Sequence, residues 1–300
     1  RRRRRRIALG ALAATGALVG GAGPASADPP GARAISRYHA ATPDSGWFAV
    51  DSAVFATGQT VTLAAVTDYA SQPLRILAAD GTVSSGVVTD ALILQLGAAV
   101  TVRDLVRLSG SVPFAPWQDG AAATYNGMAM AAPSGAFGDV TVAGDVRVAA
   151  AADGSWHLAL GTRFGFPTGS RTHYMSDGRF SVEPRVLAAG GRGALTYAAS
   201  ASAFLRATND VAGARFGSEL RYQAALGLQL AGGRVVVGPE LLGAMPLAAN
   251  TEVGTPVEAQ LGVHVQARSD LRLGLGAGLG VVNAVGEPTW RMLLSLGWNP

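Results

Sequence analysis

From residue 58 onward, apolar and polar side chains alternate with a period of two, the repeat of a strand whose faces meet different surroundings. In residues 156–166 one face carries Trp156, Leu158, Leu160, Thr162, Phe164 and Phe166, and the other His157, Ala159, Gly161, Arg163 and Gly165. Residues 257–268 set Val257, Ala259, Leu261, Val263 and Val265 against Glu258, Gln260, Gly262, His264, Gln266 and Arg268. Twelve such segments can be counted, at 58–69, 91–102, 105–117, 138–151, 156–168, 178–190, 193–206, 216–230, 234–246, 256–267, 270–282 and 288–298. Each is long enough for a tilted strand to cross a bilayer, which takes roughly 9 to 11 residues.

The connections alternate too. Tight turns are expected at Arg103-Asp104, Asp153-Gly154-Ser155, Gly191-Arg192, Gly232-Gly233 and Arg268-Ser269, where Gly or Asp supplies hairpin backbone angles. Longer connections fall at 70–90, 118–137, 169–177, 207–215 and 247–255. Short turns at one end, long loops at the other and an even strand count are the plan of an outer-membrane barrel. The reading is all-β: a transmembrane antiparallel β-barrel of about 12 strands.

Charge tests that reading, because an arginine on the lipid face at the midplane costs roughly 2 to 4 kcal/mol. Arg107, Asp145, Arg147, Arg163, Glu183, Arg185, Glu219, Arg221, Glu240, Glu258, Arg272 and Arg291 all share a face with Gly, Ala and Ser, and the apolar face carries no charge within the strands. These twelve are the candidate lumen-lining charges. A soluble sandwich would fill its second face with charge, whereas small residues suit a crowded lumen. Trp156, Trp298 and Tyr69 sit near strand ends, as an aromatic girdle requires. Pro113, Pro184 and Pro239 fit least well, since each removes a ladder hydrogen bond.

The N-terminus has the parts of a secretory signal: Arg1 to Arg6, an apolar run from Ile7, and Ala25-Ser26-Ala27 as the cleavage site. Residues 1–27 are expected to be removed on export, 28–56 to form a periplasmic lead-in, and 57–300 the barrel. The net charge of +4 comes from the leader, since the remainder holds 18 arginines against 20 acids. A basic patch for nucleic acid is therefore not indicated. Cysteine is absent, which removes disulfides and thiolate metal sites. No cofactor or metal is expected.

Several phrases resemble the N-terminal barrel region of large OmpA-family outer-membrane proteins: Phe48-Ala49-Val50-Asp51-Ser52, Phe166-Pro167-Thr168-Gly169, Glu183-Pro184-Arg185 after Asp177-Gly178, and Gly286-Glu287-Pro288. The resemblance implies a structural barrel or a small channel in the outer membrane, with lipid and the barrel assembly machinery as partners. A peptidoglycan-binding domain is implied only if the chain continues beyond residue 300. The wall charges, seven Arg against five acids, add a weak anion preference, and the lead-in is a segment able to enter and block the lumen.

The alternatives are a lipid-modifying enzyme and a loop-mediated adhesin on the same barrel. The enzyme needs a Ser–His pair at the outer rim, where His173 lies near Ser170 and Ser176. The adhesin would act through the 118–137 loop with Tyr125, Met128 and Met130. Neither signal rises above an ordinary exposed loop, so no enzyme is expected.

Overall fold

A computed structural model describes residues 34, 37–77, 83–211, 214–247, 254–282 and 284–300. The expected signal peptide lies outside the described residues. Twelve long strands form the wall: β1 (Gln59–Leu77), β2 (Val83–Val102), β3 (Val106–Asp119), β4 (Val140–Ala150), β5 (Trp156–Phe166), β6 (Ser181–Arg192), β7 (Leu195–Arg206), β8 (Glu219–Leu230), β9 (Val235–Pro246), β10 (Val257–Gln266), β11 (Leu271–Gly280) and β12 (Trp290–Trp298). Each pairs antiparallel with its neighbours in sequence, and β12 closes on β1 from Leu63↔Trp298 to Ser71↔Trp290. Closure leaves no edge strand, as a bilayer demands of any strand-built span.

Side-chain exposure follows the alternation. Leu160, Leu261, Leu275 and Leu294 stand exposed on the outside, while Arg107, Glu240 and Arg291 point inward and are buried. Aromatics ring both ends of the apolar band. Trp156 and Trp298 mark the turn end, while Trp290, tilted against Tyr69 at a centroid distance of 5.0 Å, marks the loop end.

The connections differ from expectation in three places. The stretch read as a 70–90 loop is a hairpin, because β1 and β2 run on to Leu77 and from Val83 past a register shift after Ser71. The 118–137 loop contains its own hairpin, Ala123–Tyr125 with Met128–Met130, turning at Asn126 and Gly127 with positive φ at both. The turn expected at Gly191-Arg192 falls two residues later, since Arg192 still pairs with Leu195 and Gly193 takes the positive φ.

The prolines sit where the ladder is already open on one side. Pro239 keeps its place opposite Leu261, but between β8 and β9 the pairing skips from Ala225↔Glu240 to Leu228↔Val237. Pro184 likewise stays opposite Thr162 while β6 and β7 skip from Ser202↔Arg185 to Leu205↔Val182. Both proline rings stand on the exposed, lipid-facing side.

Candidate functional site: the occupied lumen

Residues 37–58, within and just beyond the expected lead-in, lie inside the barrel, where that segment was read as able to enter. At the loop end Arg37, Tyr38 and His39 border a cavity with Tyr174, Arg179 and Gly286. At the turn end the Gly58 N–H donates to Asp104 in the β2–β3 turn. Between these points the segment folds on itself, with Thr42 N–H and Oγ1 donating to Asp51 Oδ1 at 2.8 and 2.6 Å and Ala41 N–H donating to the Phe48 carbonyl at 2.9 Å.

The wall grips this plug in three ways. Glu240 on β9 accepts the consecutive N–H groups of Phe48, Ala49 and Val50 at 2.8, 2.9 and 3.2 Å, satisfying donors that have no strand partner. Phe48 fills a socket left by glycines of β10 and β11. A Cβ at Gly276 or Gly262 would stand 2.7 or 2.8 Å from its ring, so these glycines make room for an aromatic side chain.

The third grip is ionic. Arg107 donates to Asp145 at 2.9 and 3.0 Å and to plug residue Asp44 at 2.8 Å. Arg185 donates to Asp145 at 2.8 Å and to plug residue Asp51 at 2.6 Å. Arg163 reaches Asp51 at 2.7 Å and Glu183 at 3.3 Å. With Arg221 also reaching Glu183, four wall guanidiniums share Asp145 and Glu183, and the plug brings the two further carboxylates that balance them. A buried charge without a partner is costly enough that this complementarity fixes where the plug sits.

Of the twelve candidate charges, Arg107, Asp145, Glu183, Arg185, Glu219, Glu240, Glu258 and Arg291 are buried. Glu219 collects Arg37, Arg206 and Arg221, at 3.3, 3.3 and 3.4 Å. Glu258 pairs with Arg291 at 2.7 Å, and Arg291 also binds Asp68 and lies 4.4 Å from the Tyr38 ring centre. Arg272 lies against Gly46 of the plug, and Arg147 is half-buried near the turn end. Asp68, absent from the twelve, shares the inward face of β1 with Thr62 and Val66 and is buried. Also absent are the plug acids Asp44 and Asp51, whose signal was the arginine excess of the wall.

Phe48, Val50, Arg107 and Glu240 are 1% exposed or less, so the lumen is shut at mid-height. Among the described residues, wider space opens toward the ends. A cavity of about 230 Å³ at the turn end is bordered by Trp47, Gln229 and Arg272, and one of about 100 Å³ lies at the loop end.

The enzyme constellation does not form around Ser170 or Ser176. Ser170 Oγ pairs with Thr172, Ser176 Oγ accepts the Gly178 N–H, and His173 instead meets Ser134 Oγ, with its two ring nitrogens at 3.0 and 3.3 Å. Both nitrogens facing one hydroxyl leaves neither turned to an orienting carboxylate.

Comparison with known families decides the affiliation. The family model described as "Putative MetA-pathway of phenol degradation" matches residues 76–245, more than half of the chain. The chain belongs to that family. The family is a different one from the OmpA group that the sequence phrases resemble, and what holds of that resemblance is the barrel. Among solved structures, an outer-membrane channel from Pseudomonas putida F1 is similar over 82% of this chain and 97% of its own, with 13% identity and a TM-score of 0.64. The NanC porin is similar over 79% and 97%, with 9% identity and a TM-score of 0.52. At such identity the likeness carries the fold alone. No curated protein matches the sequence.

Proposed function

We propose that the protein is an outer-membrane channel for small solutes that residues 37–58 hold closed. The observation that carries this is the nature of the plug: a strandless segment held by side chains and hydrogen bonds across the lumen, outside the wall's backbone ladder. Such a segment is able to leave while the barrel stays closed on itself. A lumen meant only as a filled core has no need of this, since eight strands can be filled by their own side chains whereas twelve enclose more room. Family membership and the fold of the solved channels support the same reading.

Planar-bilayer recording tests it. The full chain is expected to be silent or to open briefly, and a chain lacking residues 37–56 to conduct steadily. If the deletion variant folds, by heat-modifiable migration on a gel, and still does not conduct, the second reading prevails: a structural barrel of OmpA-like character, which the closed mid-lumen favours.

A further inference from the structure

We propose that the loop-end cavity is a binding site for small organic monocarboxylates, a reading that rests on the channel function above and names the solute class. Three observations converge on it. The first is charge. Five arginines border the cavity, among them Arg37, Arg179 and Arg221, against three carboxylates, Asp139, Asp177 and Glu183. An aqueous vestibule with such an excess concentrates anions.

The second is unused donor capacity. Arg37 spends one terminal nitrogen on Glu219 at 3.3 Å, while its other, Nη1, is buried with no hydrogen-bond partner among the described residues. Arg221 holds Glu219 at 3.4 Å and Glu183 only at 3.8 Å, geometry that a better acceptor would displace. The guanidinium fork accepts a planar carboxylate bidentately, and because it accepts phosphate as well, the choice between them falls to the rest of the cavity.

The third is the apolar side of the cavity. Ile93 and Met175, from the apolar cluster that joins the β1–β2 hairpin to the overlying loops, line it together with Phe204 and Phe216. The Arg221 guanidinium lies 3.7 Å from the centre of the Phe204 ring, so the charge and the apolar surface are joined at one point. A ligand with a carboxylate at one end and an apolar body at the other satisfies both. The volume of about 100 Å³ sets the size of that body. A cavity near 150 Å³ holds a benzene ring, so this smaller one encloses a short chain or only part of a ring, the rest lying at its open mouth, and excludes oligosaccharides.

Isothermal titration of the purified full chain in detergent tests the site, with benzoate, cyclohexanecarboxylate, benzyl alcohol and inorganic phosphate as probes. Both carboxylates are expected to bind, and benzyl alcohol and phosphate at least about tenfold more weakly, the loss that follows from removing a charge-assisted contact or an apolar one. Arg37→Gln should weaken benzoate about tenfold. Arg179→Gln, an exposed position outside the ion network, should weaken it by a smaller factor without risk to folding. Equal binding of benzoate and benzyl alcohol, binding of phosphate as tight as benzoate, or benzoate binding indifferent to both substitutions would each overturn the proposal. Titration reads the site and bilayer conductance reads the channel. Failed titration beside a conducting plug deletion removes the site alone, and binding beside a silent deletion variant removes the channel alone.

Discussion

Asp51 shows how much one side chain of the plug decides. Its carboxylate stands 2.6 Å from Arg185 and 2.7 Å from Arg163, with Thr42 on its second side. Asp51→Asn keeps the shape and removes the charge, leaving two buried guanidiniums to share Asp145 and Glu183. The cost falls on the closed state, on the order of 3 kcal/mol for a broken buried pair, or roughly a hundredfold shift toward opening. Single-channel recording should show openings that much more frequent, and unchanged open probability would mean the plug is held by Phe48, Glu240 and the Asp44–Arg107 pair without Asp51. In the β11–β12 loop, burial and then the nearby charge of Glu258 push Glu287 up to about 7 from 4.5. A raised carboxyl gives stability that is intact below about pH 4.5 and lost as pH rises through about 7. The thermal midpoint should therefore fall between pH 5 and pH 8, and Glu287→Gln should flatten that fall. At this scale the sequence was legible where parity applied. The glycine row of β11 announced space without naming its occupant, because composition reports volume and Phe48 arrives from a part of the chain with no periodicity.

At the scale of the strand, alternation carried most of the fold. The lipid face excludes charge at every depth of the apolar band, so twelve strands and their inward charges follow from the sequence once the phase is set. Leu261 and Gln260 are adjacent on β10 and lie on opposite faces, the first exposed and the second buried. Leu261→Arg should impair membrane insertion far more than Gln260→Arg, by roughly 2 to 4 kcal/mol at the midplane, read as the refolded fraction in lipid vesicles. Equal losses would remove the membrane reading of the outer face. What alternation missed lies beyond the bilayer, where both faces meet water or loops and the period fades. There β1 and β2 continue as a hairpin, and the short hairpin at 123–130 turns on Asn126-Gly127. That dipeptide is the strongest local hairpin signal, and it was legible in the sequence independently of any alternation.

Over the whole molecule, plug and wall are electrostatically one object. The described lumen holds Arg37, Arg107, Arg147, Arg163, Arg185, Arg206, Arg221, Arg272 and Arg291 against Asp44, Asp51, Asp68, Asp145, Glu183, Glu219, Glu240 and Glu258, an excess of one. A near-neutral sum is what a poorly hydrated interior requires, and it is why a wall with spare arginines needed a segment bearing two acids and one arginine. Deleting residues 37–56 takes Asp44, Asp51 and Arg37 away together, so the emptied wall keeps eight arginines against six acids. The charges now face water, where they no longer need partners and act as a fixed positive field along the pore. The deletion variant should therefore pass chloride in preference to potassium, a preference that the brief openings of the full chain show more weakly. Reversal potentials under a potassium chloride gradient measure both. Cation preference after deletion would mean that the pore runs past the rim acids Asp139 and Asp177 and leaves the arginine-rich wall untouched.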